Sequence, residues 1–172
     1  MQGARLERLA LFENLTPKER AELEVLLEPA SFEAGEEIFE EGSPEECLYV
    51  LTYGTVEVHK EVSPDRQQHL ATIEAPAVVG EIGLMTESPA TATVTVRSPV
   101  QAWRLPRETF LEKLESGSDA AFKVAYEIGR ILAERMARTD ESIAKIVAQL
   151  EDTESNRDFE VFRDKLMQEW SF

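Results

Sequence analysis

The residues whose types and spacing suggest chemistry are concentrated in one segment, residues 79–94. It reads Val-Gly-Glu-Ile-Gly-Leu-Met-Thr-Glu-Ser-Pro-Ala-Thr-Ala-Thr-Val. A glycine turn at Gly80 followed by one helical turn directs several unpaired backbone N–H groups and the positive end of a small dipole at one point. Such a point attracts anions, phosphate included. Glu81, beside this turn, is placed to accept a hydrogen bond from a sugar hydroxyl.

The order of these residues resembles the phosphate-binding cassette of the cyclic-nucleotide-binding domain family. In that family a Gly-Glu pair, an apolar residue, a small residue and two more apolar residues precede a loop that reads Pro-Arg-Ala-Ala-Thr-Val. Here the loop, residues 89–94, reads Pro-Ala-Thr-Ala-Thr-Val, so Ala90 stands where the family places its phosphate-pairing arginine. The resemblance implies these candidate ligand-binding residues: Gly80, Glu81, Ile82, Gly83, Leu84, Ala90, Thr91 and Ala92.

Alanine at position 90 predicts a weakened phosphate site. Removing one partner of a buried arginine–phosphate pair costs about 2–5 kcal/mol, roughly 30-fold to several-thousandfold in affinity. We therefore expect no tightly bound cofactor, and weak binding of a cyclic nucleotide or another small anionic ligand. Backbone N–H groups of residues 83–86 and the Thr91 hydroxyl remain as donors. Arg97 and Arg104 lie on nearby predicted strands, and alternation alone leaves open whether either points inward.

Two helices are predicted before the cassette, the first within residues 5–12. The second begins at residues 16–19, because threonine at the N-cap, proline at the first helical position and glutamate three residues after the cap form a helix start. We expect it to end before Pro29. Its apolar side carries Leu23, Leu26 and Leu27.

Residues 32–73 are typical of an antiparallel sheet, since short apolar runs alternate with turn residues. Gly54 is predicted to form a hairpin corner between two of these runs. Two more strands, residues 92–97 and 100–105, are predicted after the cassette, separated by serine and proline. A short helix follows and stops at Ser116 and Gly117.

Many short strands at turn-sized spacing suggest a jelly roll or a barrel. The resemblance, which runs from about residue 12 to residue 150, narrows the fold class to α+β: an antiparallel β jelly roll of the cyclic-nucleotide-binding type, with N-terminal helices and a long C-terminal helix. The expected segments are N-terminal helices at 1–30, the β-roll with its cassette-like loop and a short helix at 31–117, a long C-terminal helix at 118–150, and an acidic amphipathic tail helix at 151–172.

The long helix is predicted to begin at Ser118 and Asp119, because no proline follows and apolar residues recur at helical spacing. Gly129 and Ala133, four residues apart, would let two such helices approach closely. In the resembling family the equivalent helix often forms a parallel dimer seam, which implies a homodimer. The alternative is a single amphipathic helix buried on its own domain. The candidate dimer residues are Phe122, Tyr126, Gly129, Ala133 and Met136.

The tail, residues 151–172, is where a transcription factor of this family would begin its helix-turn-helix. Only 22 residues remain there and the segment is acidic, so we expect no such domain. An aromatic stripe predicts an amphipathic helix there. Three roles are open for this helix. It could pack back on its own domain or across a dimer, dock on another protein, or cover the mouth of the ligand pocket.

Composition restricts the classes of function. The formal net charge of −16 argues against nucleic acid and anionic membrane as partners, since both require a basic face. No apolar segment is long enough to span a bilayer, and the single cysteine, Cys47, cannot form an intrachain disulfide, so we expect a cytoplasmic protein. His59 and His69 lack metal-site spacing. We therefore expect no metal site, no catalytic residues and no enzyme activity.

Two functions compete on this evidence. One is a non-catalytic regulatory or sensor module of the cyclic-nucleotide-binding type with an altered or weakened phosphate site and no DNA-binding domain. The other is a protein-interaction or dimerisation scaffold whose roll has lost ligand binding. A cupin-like enzyme is the third and least favoured alternative, because it would need a metal site.

Overall fold

The computed structural model describes residues 9–63 and 66–151 of the 172-residue chain. Half of the predicted first helix, residues 5–8, and almost all of the predicted tail helix lie outside these residues. The helices are a 3₁₀ turn at Ala10–Phe12, α1 at Pro17–Glu24, α2 at Glu81–Thr86, α3 at Arg107–Glu115 and α4 at Asp119–Glu151. The strands are β1 at Glu28–Phe32, β2 at Glu37–Phe39, β3 at Cys47–Ser63, β4 at Arg66–Glu74, β5 at Ala77–Val79 and β6 at Thr93–Pro106.

The six strands form one antiparallel sheet in which β3 and β6 are the central pair. The order is β1-β6-β3-β4, while β2 also pairs with β6 and β5 also pairs with β3. Apolar side chains from several strands share one buried core. The predicted α+β roll with a long C-terminal helix is confirmed. Core members from the strands include Phe39, Cys47, Leu51, Val56, Val79, Val94, Val96, Val100 and Ala102.

Helix α1 begins as the capping pattern predicts. The Thr16 hydroxyl accepts a hydrogen bond from the Glu19 N–H at 3.3 Å, and the Glu19 carboxylate accepts one from the Thr16 N–H at 2.7 Å. These two bonds satisfy donors that a helix start leaves unpaired. Leu23 is buried on α1 as expected. The helix ends at Glu24, so Leu26 and Leu27, which were expected on its apolar side, lie beyond it, half-buried and buried respectively.

The sheet begins earlier than predicted. Strand β1 starts at Glu28, and Pro29 and Ala30 pair with Trp103 and Ala102 of β6, so the expected strand start at residue 32 was wrong. Proline was interpreted as a helix stop followed by a turn. It is tolerated here because β1 is an edge strand, where a missing backbone N–H does least harm.

Gly54 does not form a hairpin corner, and this prediction was also wrong. Strand β3 runs through Gly54 without reversing, and its register with β6 shifts on both sides of that residue. The glycine has φ +96°, and a β-carbon placed on it would lie 2.3 Å from the Pro99 carbonyl oxygen. Pro99 likewise lies inside β6 and does not separate two strands. Gly54 therefore allows two long strands to bend against each other at close range.

The division between two compact units falls within α4, at Ile128 and Gly129. In the first unit, α4 buries Ala120, Ala121, Val124 and Ile128. In the second, the helix carries an ion pair between Glu141 and Lys145 on its exposed surface. Within residues 9–63 and 66–151, no helix combines the length and apolarity needed to cross a bilayer.

Replacing Gly54 with alanine is expected to destabilise the protein by about 2–4 kcal/mol, because the methyl group would clash with the β6 backbone as well as straining a positive φ. Urea unfolding measures the difference. The control is Gly117→Ala, where φ is +79° but no atom lies within 4 Å of the added carbon. Equal losses in the two variants would contradict the close approach as the reason for glycine at position 54.

Candidate functional site

The cassette segment has the predicted order of turn, short helix, loop and strand. Strand β5 pairs with residues 49–51 of β3 and delivers the chain to Gly80, the N-cap of α2, which has φ +89°. Helix α2 closes at Glu87, whose N–H donates to the Gly83 carbonyl at 3.3 Å. The loop that follows leads into β6 at Thr93.

Burial divides the predicted site residues into two groups. Glu81 and Ala90 are 5% and 4% exposed, and Gly83 and Leu84 are also buried. The remaining residues lie nearer the surface: Gly80, Ile82 and Ala92 are half-buried and Thr91 is exposed. The structure thus brings Gly80, Glu81 and Gly83 together at the first turn of α2, while Ala90 joins the core.

The side chain of Glu45, in the loop between β2 and β3, lies against this first turn. A β-carbon placed on Gly83 would be 2.5 Å from the Glu45 Cβ and 2.6 Å from its Cγ and Cδ. A β-carbon placed on Gly80 would be 2.8 Å from the Glu45 Oε1. The Gly83 N–H favours the ionised form of this carboxylate and so lowers its pKa. Both glycines therefore make room for this carboxylate.

Two carboxylates meet at this point. Burial, and after it the charge of Glu81, raise the pKa of Glu45 to about 7, while the Gly83 N–H acts in the opposite direction. Desolvation and a like charge both disfavour the ionised form of an acid. Glu45 therefore becomes ionised as the pH rises through about 7, and above that pH its negative charge opposes the approach of a phosphate.

Ala90 occupies an apolar position that is fixed through its backbone. Its N–H donates to the Ser43 carbonyl at 2.9 Å, and its carbonyl accepts from the Gly42 N–H at 2.8 Å. Its methyl group packs in the same core as Phe39 and Val79. The position therefore supplies neither a charge nor a side-chain donor to a ligand.

The two arginines left open by strand alternation have partners elsewhere on the roll. Arg97 lies 3.4 Å from the Glu57 carboxylate, and its side chain is exposed. Arg104 pairs with Glu28 at 2.8 Å across β6 and β1. Neither pairing directs a guanidinium to the first turn of α2.

Two other cations contact the ends of the cassette, and each is matched by an acid. The Lys60 Nζ donates to the Thr91 carbonyl at 2.7 Å and to Glu41 at 2.8 Å. The Lys60 hydrogen bond is the largest cause of a lowered pKa at Glu41. At the other end, Arg107 pairs with Glu87 at 2.8 Å. These pairs neutralise the rim of the site.

Sequence reasoning did not identify Glu45, Lys60 or Arg107. Glu45 lies within an acidic stretch with no periodicity or motif, and such stretches usually form solvated faces. The sequence contains one weak indication of such a contact. The two glycines of the cassette imply that another group approaches the backbone closely there.

The remaining predicted residues have the following positions. Of the dimer candidates, Phe122 and Tyr126 are 54% and 73% exposed. In the second unit Gly129, Ala133 and Met136 are exposed.

The rings of His59 and His69 lie on paired strands with centroids 5.3 Å apart. Within the described residues, no three His, Cys, Asp or Glu side chains are grouped so as to hold a metal ion.

Comparison with known proteins agrees with the fold and the cassette. The family model for the cyclic nucleotide-binding domain matches residues 29–116, just over half of the chain. The chain belongs to the cyclic nucleotide-binding domain family. The match includes the whole cassette of this cyclic nucleotide-binding domain, from Gly80 through Ala90 to Val94.

Relatives of this cyclic nucleotide-binding domain include regulators of two kinds. It is 29% identical over 143 residues to a cAMP-activated global transcriptional regulator from Mycobacterium tuberculosis, covering 83% of this chain and 62% of the relative. It is 30% identical over 126 residues to a cAMP-dependent protein kinase regulatory subunit from Aspergillus fumigatus, covering 73% of this chain and 30% of the relative. The chain thus spans less than two thirds of the length of either relative.

A solved structure agrees with these sequence matches. The N-terminal domain of a transcriptional regulator from Streptomyces coelicolor superposes with a TM-score of 0.63 at 30% identity. The superposition covers 76% of this chain and 93% of that domain. The family assignment therefore rests on both sequence and fold.

Replacing Glu45 with glutamine is expected to stabilise the protein at pH 8 and to make little difference near pH 5. A folded-state pKa near 7, above the ordinary value of 4.5, means that stability falls as pH rises between those values, because the folded state must give up a proton that the unfolded chain has already lost. Glutamine has no proton to give up in this range, so the variant does not lose stability in this way. We expect the free energy of unfolding of the variant to exceed that of the wild type by about 1 kcal/mol at pH 8. This is less than the full pKa shift implies, because solvent screens a half-exposed group.

Urea unfolding of both proteins at pH 5 and pH 8 measures this effect. The matched control is Glu46→Gln, which alters the exposed neighbouring carboxylate. A gain in stability that is the same at both pH values would show that the carboxylate of Glu45 is not responsible.

Proposed function

We propose that this chain is a non-catalytic regulatory module of the cyclic nucleotide-binding domain family, with a phosphate site that no longer clamps a cyclic phosphate. The family assignment and relatives of regulatory type support the regulatory part of the proposal. One observation carries the rest: Ala90 is buried in the apolar core with its backbone tied to Gly42 and Ser43.

Loss of the cation decides the affinity. A guanidinium binds a phosphate through two parallel charged hydrogen bonds, and a methyl group supplies neither. Arg97 and Arg104 have acidic partners elsewhere, and Lys60 and Arg107 are paired with acids at the rim. The contacts of these four cations point away from the position of the missing arginine. Weak binding of a cyclic nucleotide or another small anion remains, through backbone N–H groups and the Thr91 hydroxyl.

The overall charge is consistent with this class of function. A net charge of −16 repels nucleic acids and anionic lipid surfaces, so neither is a proposed partner. The proposed location is the cytoplasm. The proposal is a module that acts through other proteins and not by catalysis.

Isothermal titration calorimetry with cyclic AMP and cyclic GMP tests the proposed function. We expect dissociation constants of about 0.1 mM or weaker at pH 7.5 for both nucleotides, the loss expected from one missing arginine–phosphate pair. Titration with 5′-AMP is the control for non-specific nucleotide binding. A dissociation constant tighter than about 10 μM for either cyclic nucleotide would refute the altered site.

A second function, self-association through α4, is favoured by a separate observation. Phe122 and Tyr126 are one helical turn apart and largely exposed, whereas Ala121, Val124 and Ile128 of the same helix are buried. Two large aromatic side chains left in solvent at helical spacing form an apolar stripe, and a second copy of the helix offers the same stripe in return. The proposed partner is therefore a second copy of this chain.

The double substitution Phe122→Ser and Tyr126→Ser is expected to weaken self-association at least tenfold, because it removes the aromatic area that the stripe would bury. Sedimentation equilibrium of the full chain measures this effect. The control is Val25→Ser, which changes an exposed apolar side chain outside α4. An unchanged dimer in the double variant would exclude this stripe as the interface.

A further inference from the structure

We propose that the Glu45 side chain acts as a built-in occupant of the anion position at the first turn of α2, holding the site closed to ligand phosphate until it is neutralised or displaced. The inference rests on the proposed function, since it takes this turn to be the family's phosphate position. It adds to that function a second, independent reason for weak binding, and a means of control.

The Glu45 side chain lies against the first turn of α2. The Gly83 N–H, a donor that the cassette would offer to an anion, acts on the Glu45 carboxylate and lowers its pKa. Carbons of the same side chain lie so close to Gly83 that a β-carbon there would meet them at 2.5 to 2.6 Å. Its Oε1 would lie 2.8 Å from a β-carbon on Gly80. A phosphate at this turn and the Glu45 side chain would therefore compete for the same space and the same donor.

The surroundings of Glu45 do not neutralise it. From α2, the buried Glu81 carboxylate adds a like charge. From β2 and β3, the groups nearest the adjoining Gly80 are the Phe39 ring and the Cys47 carbonyl, and neither is positively charged. The cations that contact the cassette are held by other acids, Lys60 by Glu41 and Arg107 by Glu87. An incoming anion thus meets two carboxylates.

An internal carboxylate also has a kinetic and entropic advantage over a free ligand. It is tethered a few residues from β3, so its effective concentration at the Gly83 N–H far exceeds that of a dilute ligand. Protonation removes the charge of Glu45 and weakens its hold on the N–H. Burial and the Glu81 charge place that protonation near neutral pH. Acid conditions therefore open the site to an anion, whereas alkaline conditions close it.

The first test needs no ligand and follows the Gly83 amide by NMR. In the wild-type chain, the amide shift is expected to change with pH with a midpoint of about 7, because its acceptor gains a proton there. In Glu45→Gln, this titration is expected to disappear, and in the control Glu46→Gln it should remain. A pH-independent Gly83 amide in the wild type, or an unchanged titration in Glu45→Gln, would overturn the proposal.

The second test measures cyclic AMP binding to Glu45→Gln and Glu45→Ala at pH 8. Glutamine removes the charge and keeps the shape, while alanine also clears the space. We expect binding at least tenfold tighter than wild type in both variants, and unchanged binding in Glu46→Gln. Wild-type binding should tighten as pH falls from 8 to 6, whereas binding to Glu45→Gln should not, because the cyclic phosphodiester keeps one charge over this range.

The outcomes separate this inference from the proposed function. Weak wild-type binding with no gain in either Glu45 variant would overturn the inference and leave the loss of the arginine intact. Tight wild-type binding at pH 7.5 would overturn the proposed function. If both variants bind more tightly than wild type, and the Gly83 titration is lost in Glu45→Gln, the built-in occupant is established.

Discussion

The pairing of β3 with β6 holds the sheet together, because every other strand joins one of these two. Strand β5 pairs with β3 and ends at Gly80, so α2 starts beside the beginning of β3. The loop after α2 is tied back through Ala90 to Gly42 and Ser43 and then enters β6. The same pairing therefore positions both the cassette and Glu45, which immediately precedes β3.

The consequence is that the protein places the side chain of Glu45 against Gly80 and Gly83 at the first turn of α2. Burying Glu45 beside Glu81 opposes folding above neutral pH, since both desolvation and like charge disfavour ionisation. The Gly83 N–H offsets part of this effect. Perturbed acids of this kind are concentrated at functional sites, although structural networks produce them as well. Together with Ala90, they are the two separate physical grounds on which we propose weak binding of a cyclic phosphate.

The features predicted correctly depend on near neighbours in sequence. The capping box at Thr16, the end of α3 at Ser116 and the start of α4 follow from side chains and glycines a few residues apart. The prediction of a hairpin at Gly54 failed for the opposite reason. A positive-φ glycine serves a chain reversal and a close interstrand approach equally well, and only the position of Pro99 distinguishes them.

The sequence by itself determined the order of the cassette and the alanine at position 90, because both are given directly by residue types and spacing. The family resemblance of those residues then implied the roll. Only the tertiary structure decided which carboxylate lies at Gly83 and which acids hold Arg97 and Arg104. These partners are distant in sequence, and strand register brings them together. The residues next to a charged side chain in the sequence do not identify its partner, since Coulomb attraction and burial depend on distances that exist only in the folded chain.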